Sequence, residues 1–288
     1  MTPSDGEAAL AAFLDQLERE GRPSNTVSAY GRDLRRYFSS LPDVRLTALD
    51  RATVSRSLAA LAAPTDAPRP SAASVARLTT AIRRFHRFCV ATGRSSCDPT
   101  AGLSGPSVPR SQPATLTPTE VARLLAAADD PHPLGLRDRA LIEVLYGGGL
   151  RISEAVGLDR TDTFLDSHED EVTIVIRGSE GRARTVILPP SAAAALRRYQ
   201  GSGWPGLTAG RATDAVFLNA RGGRLSRQSG WSIVKRSADR AGLAGRVTSP
   251  HILRHSRARH LIDDGADLRV VQEMLGHARP ASLDVYRR

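Results

Sequence analysis

Two arginines, two histidines and a tyrosine stand in an order suited to chemistry on a phosphate ester. They are Arg151 in Gly149-Leu150-Arg151-Ile152-Ser153-Glu154, His251 and Arg254 in His251-Ile252-Leu253-Arg254-His255, His277 in Leu275-Gly276-His277, and Tyr286, nine residues further on. A phosphate oxyanion calls for planar, permanently charged donors, and a guanidinium supplies a two-pronged fork that stays protonated near neutral pH. An imidazole can accept or donate a proton there, and a phenolate can attack phosphorus. Glu154 follows Arg151 by three residues, on the same helical face, and is placed to orient that guanidinium rather than to react. His251 and His255 are spaced i, i+4 as zinc ligands often are, but a zinc peptidase's glutamate is missing and Arg254 beside them repels a cation, so no metal is expected.

At these residues the chain resembles the tyrosine recombinase (phage integrase) family, most closely its Xer-like members. The stretch Ser24-Asn25-Thr26-Val27-Ser28-Ala29-Tyr30, followed by Arg32-Asp33-Leu34, is similar to that family's DNA-clamping domain. The resemblance implies a mainly α fold: a helical, SAM-like DNA-clamping domain, then a catalytic domain, mostly helical with a small antiparallel β-sheet. It implies that Arg151 and Arg254 clamp the phosphate, that His251 accepts the tyrosine proton and that His277 bonds a non-bridging oxygen. Tyr286 is then the nucleophile that forms a 3′-phosphotyrosyl link. It further implies site-specific recombination of double-stranded DNA by a homo- or hetero-tetramer on two sites, with no cofactor. The covalent link conserves the energy of the broken bond.

Two positions depart from the family pattern. Relatives carry Gly-Lys-Gly in a β-hairpin, whose lysine is thought to protonate the departing 5′ oxygen; this chain has Arg177-Gly178, and its single lysine is Lys235, in a separate helix. A general acid works best with a pKa near the operating pH, and an arginine is far above it. Arg177 or Arg182 could still stabilise charge in the transition state. Three readings stay open: a tolerated substitution, a protein impaired in strand cleavage, or a route through another acid. The chain also stops at Arg288, two residues after Tyr286, where relatives continue into a tail that packs on a neighbouring protomer. If that is the natural end, coupling between subunits must be built differently; if it is a fragment, oligomerisation and regulation are lost with the missing tail.

Composition agrees with a nucleic-acid partner. All but one of the 40 basic residues are arginine, and the formal charge of +10 favours a polyanion, although GC-rich coding also inflates arginine. Cys89 and Cys97 have no metal-ligand spacing and suggest a reducing, cytoplasmic setting. No apolar run approaches the length of a membrane span, and nothing at the N-terminus reads as a signal peptide.

These residues must be positioned by helices. Apolar spacing predicts helices over Glu7–Glu20, Ser24–Leu41, Asp50 or Thr53 to about Ala62, and Ser71–Thr92. The last turns Val75, Leu78, Ile82, Phe85 and Phe88 inward and Arg77, Arg83, Arg84 and Arg87 elsewhere, so that two domains joined flexibly could close round a duplex. A proline-rich stretch divides the chain into 1–103, a linker at 104–115, and 116–288. Thr117-Pro118-Thr119-Glu120 has the form of a capping box opening a helix to about Ala128. A helix over Leu134–Tyr146 ends at Gly147-Gly148-Gly149, which bends the chain and places Arg151 at the start of the next helix. That glycine run lacks the lysine and strand of a phosphate loop, so ATP binding is not expected. Glu171–Ile176 and Arg184–Leu188 read as the arms of a β-hairpin.

The class rival is a DNA-binding accessory subunit that no longer cuts. It is favoured by the missing lysine and opposed by Arg151, His251, Arg254 and Tyr286. A type IB topoisomerase shares the chemistry but needs no synapsis, and the Xer-like motifs argue against it.

Overall fold

The computed structural model describes residues 5–41, 45–63, 70–103, 114–165, 172–177 and 183–276, which fall into two compact units, 1–110 and 111–288. The linker residues 104–113, the hairpin turn 178–182, His277 and Tyr286 lie outside the described residues.

The first unit is helical: α1 Asp5–Arg19, α2 Ser24–Ser39, α3 Arg51–Ala62 and α4 Ala72–Ala91. Each begins within two residues of the start that apolar spacing predicts. Asp50 and Ser71 cap α3 and α4 by accepting from the backbone N–H of Thr53 and Ser74, which satisfies donors that a helix start leaves open. Leu10, Phe13 and Leu17 of α1 pack with Val27 and Leu34 of α2 and with Leu78, Ile82, Phe85 and Phe88 of α4. Val75 is only half-buried, because it sits in the first turn of α4, above this core. Within the core, Tyr37 Oη lies 2.9 Å from His86 Nε2. Burial pushes the Tyr37 phenol up and His86 down to about 4, against a weaker raising pull from Asp98.

The second unit opens with α5, Pro118–Ala127, whose capping box is complete: Thr117 Oγ1 accepts from the Glu120 N–H and the Glu120 carboxylate from the Thr117 N–H. Next comes α6, Pro133–Gly147, which is buried from Gly135 through Gly147 on nearly every face, as a helix at the centre of a domain must be. The short α7, Ile152–Gly157, leads into a sheet of β1 Thr163–Leu165, β2 Val172–Arg177 and β3 Ala183–Leu188. The strands are antiparallel in the order β1-β2-β3, with Ile174 paired to Thr163 and to Val186. Only the hairpin is legible in the sequence, since three residues of β1 are too few to show an alternation. Among the described residues, helices α8 Pro190–Arg198, α9 Trp204–Thr208, α10 Arg227–Arg240, α11 His251–Asp263 and α12 Leu268–Leu275 follow.

The three glycines at the end of α6 have packing roles. A Cβ at Gly147 would lie 2.9 Å from Pro189 Cγ, and one at Gly148 2.6 Å from Leu150 Cδ1. Gly149 alone has a positive φ, +60°, and its Cβ would lie 2.8 Å from Leu275 Cδ2, so a left-handed backbone and a close helix both demand glycine there.

Candidate active site

Three segments distant in sequence meet around one carboxylate. Arg151 is the N-cap of α7, and Glu154, at the third helical position, accepts its backbone N–H at 2.7 Å. The same carboxylate accepts from Arg151 Nη1 at 2.8 Å. Arg184, from the inward row of β3, donates Nη1 to Glu154 Oε1 at 2.9 Å and Nη2 to Oε2 at 2.8 Å. Arg254, from the first turns of α11, brings Nη1 to 3.9 Å from Glu154 Oε2. One anion thus faces three guanidiniums and leaves the cluster with a formal charge of +2, which suits an anionic ligand.

Burial by itself would raise the Glu154 carboxyl. The hydrogen bonds from Arg184 and from the Arg151 backbone, together with the two guanidinium charges, outweigh it and hold the carboxyl at about 2. Glu154 therefore stays ionised throughout the neutral range.

The two clamp candidates differ in setting. Arg254 is buried, 4% exposed, and donates Nη1 to the Gly149 carbonyl at 2.7 Å and Nη2 to the Leu275 carbonyl. Arg151 is 40% exposed and retains a solvent-facing edge. His251 opens α11 one turn before Arg254 and is exposed. Partial desolvation of its ring, then the charges of Arg254, Arg151 and Arg227, draw its pKa below the ordinary imidazole value, while Glu154 opposes them. His255 is half-buried and lowered further, to about 4, by burial and by His251 and Arg254. The two rings lie 6.3 Å apart, centroid to centroid. Among the described residues no group of three or more His, Cys, Asp or Glu side chains could hold a metal ion.

Arg177 stands elsewhere. At the end of β2 it is 70% exposed, and its Nη2 lies 2.7 Å from Asp162 Oδ1, not against Glu154. In the first unit, two of the four arginines expected to face away from the α4 core are also engaged. Arg77 forms a two-pronged pair with Asp33 at 2.8 and 3.1 Å, and Arg84 meets Glu20 at 3.3 Å.

Two contributors escaped the reading of the sequence. Arg184 had one available signal: it shares the inward row of β3 with Val186 and Leu188, where a charge requires a partner. Arg227, at the start of α10, had none; Gly276, already in the Leu275-Gly276-His277 motif, closes α12 with φ +61°.

Residues 114–288 match the Phage integrase family, and residues 10–93 match Phage integrase, N-terminal SAM-like domain. The chain belongs to the phage integrase family. Among curated members, Tyrosine recombinase XerD of Mycobacterium tuberculosis (strain CDC 1551 / Oshkosh) is 45% identical over 289 residues, covering 96% of this chain and 91% of the relative. Tyrosine recombinase XerD of Mycobacterium leprae (strain TN) is 40% identical, covering 99% and 94%. The integrase architecture is also seen in XerH site-specific recombinase bound to difH substrate, with TM-score 0.76 at 21% identity over 100% of this chain and 82% of that one. A lambda integrase (75-356) dimer bound to a COC′ core site gives TM-score 0.72 at 18% identity, covering 98% and 94%. At these identities the structural likeness is one of fold. No described helix of this integrase family member is long and apolar enough to cross a membrane.

Proposed function

We propose that the protein is a site-specific DNA recombinase that cuts and rejoins strands through a 3′-phosphotyrosyl intermediate. The observation that carries this reading is the meeting of Arg151 and Arg254 at Glu154, with His251 one turn away, in a chain whose relatives are tyrosine recombinases. In this reading the two guanidiniums bind the non-bridging oxygens of the scissile phosphate. His251, favoured in its neutral form by partial desolvation of its ring and by its cationic neighbours, accepts the Tyr286 phenol proton. The phenolate oxygen bonds to phosphorus while the bond to the 5′ oxygen breaks, and that oxygen leaves as a hydroxyl after taking up a proton. His277 bonds a phosphate oxygen, and Arg177 supplies charge but is a poor acid. A partner strand's 5′-hydroxyl then attacks the link and releases Tyr286. The protein acts as a tetramer, homo- or heteromeric, on two sites in cytoplasmic, nucleoid-associated DNA. Its task is chromosome dimer resolution or integration and excision of a mobile element.

The second reading, a DNA-binding accessory subunit impaired in cleavage, is favoured by one observation: the Arg177 guanidinium pairs with Asp162. Trapping on nicked suicide DNA from the flanking genomic region separates the two. An SDS-resistant adduct that Tyr286→Phe abolishes, formed with both a 5′-oxygen and a 5′-bridging-sulfur leaving group, is the expected result. Because sulfur needs no acid, an adduct on sulfur alone places the defect in leaving-group protonation. No adduct on either, with binding confirmed, favours the accessory subunit.

A further inference from the structure

A guanidinium on the inward row of a strand, between apolar neighbours, is costly unless its nitrogens are satisfied. Arg184 is 16% exposed, and all three of its nitrogens are engaged: Nη1 and Nη2 by Glu154, and Nε by the Met274 carbonyl at 3.0 Å. Gly276 closes over it, for a Cβ there would lie 2.9 Å from Arg184 Nη1 and 3.1 Å from its Cζ. One side chain thus ties β3 to the carboxylate that orients Arg151 and to the end of α12, the residues just before His277 in sequence.

We infer that Arg184 is a positioning residue: through Glu154 it fixes the Arg151 guanidinium, and through Met274 it holds the end of α12 against the same cluster. The inference rests on the recombinase reading for its effect on cleavage. Because its nitrogens are already engaged, Arg184 orients the group that binds phosphate and does not bind phosphate itself. Misplacing a group by about 1 Å can cost on the order of 10²-fold in rate.

The test uses the full chain. Arg184→Ala is expected to slow covalent-complex formation by roughly 10- to 100-fold on oxygen- and sulfur-leaving substrates alike, with duplex affinity within about threefold of wild type. The same substitution should cost much less in an Arg151→Lys background, because the two side chains act through one carboxylate. Arg184→Lys keeps the charge but loses the fork, and is expected to recover only a fraction of the rate. Equal losses in both backgrounds, full rescue by lysine, or a loss that sulfur alone repairs would each overturn the assignment.

Hydrogen exchange of the Val271–Gly276 amides reads the positioning without any cutting. Exchange should quicken in Arg184→Ala, and unchanged protection would sink the α12 half of the inference. If Arg184→Ala does not fold, Arg184→Gln reads the same quantities. If the wild-type chain forms no adduct, the recombinase reading fails while exchange still tests Arg184.

Discussion

Arg254 donates to the carbonyl of Gly149, a residue 105 positions earlier, at 2.7 Å. The bend that ends α6 therefore serves α11: the left-handed turn aims a carbonyl at the guanidinium that would grip phosphate. Gly149→Ala should destabilise the second unit by about 1–2 kcal/mol from the backbone alone, with more from the overlap with Leu275. Gly157→Ala, which meets nothing within 4 Å and has no positive φ, should be neutral or slightly stabilising. Thermal unfolding of both variants checks the pair; equal Tm shifts would refute this account of the turn.

The lowered pKa of His251 makes a prediction about activity. Its base form persists below the ordinary imidazole range, so the acidic limb of the adduct-formation profile should lie below pH ~6.5. Arg227 is one of the cations responsible. Arg227→Gln should therefore move that limb to higher pH, and a pH–rate profile with an unmoved limb would remove His251 as the base.

The Tyr37–His86 pair sets an acid limit on the first unit. His86 titrates at about 4 when folded and near 6.5 when unfolded. Between those values the unfolded chain binds the proton, so the contribution is intact above pH ~6.5 and lost as pH falls toward 4. It amounts to about 3 kcal/mol at most. Tyr37→Phe leaves His86 Nε2 without this partner and should cost about 1–3 kcal/mol at neutral pH. Denaturant unfolding at pH 7 and pH 5 measures both.

The four arginines of α4 should differ in their use to DNA. Arg77 is held by Asp33 and Arg84 by Glu20, so neither offers a full free charge. Each phosphate contact steepens the salt dependence of duplex affinity by about one unit of log–log slope. Arg83→Gln or Arg87→Gln should flatten that slope by about one, Arg77→Gln by less. Equal changes would show that the Asp33 pair opens on binding.

Much of this protein is determined locally and is legible in its sequence. Helix starts are fixed by neighbours a few residues away, as in the Thr117–Glu120 box and the Asp50 and Ser71 caps, and the β-hairpin shows itself in arms rich in valine, isoleucine and threonine, such as Val172–Ile176. The Arg151–Glu154 bond is local too, since both residues lie within one turn. Other features depend on which distant segments meet. Arg184 joins Arg151 on Glu154 only because the fold brings β3 to the start of α7, 30 residues away in the chain. Arg177 faces Asp162 because the pairing of β1 with β2 brings the turn before β1 alongside the end of β2. Periodicity reports which face of an element is buried, but a guanidinium takes whichever carboxylate the packing brings within about 3 Å, and that choice is made by tertiary structure alone.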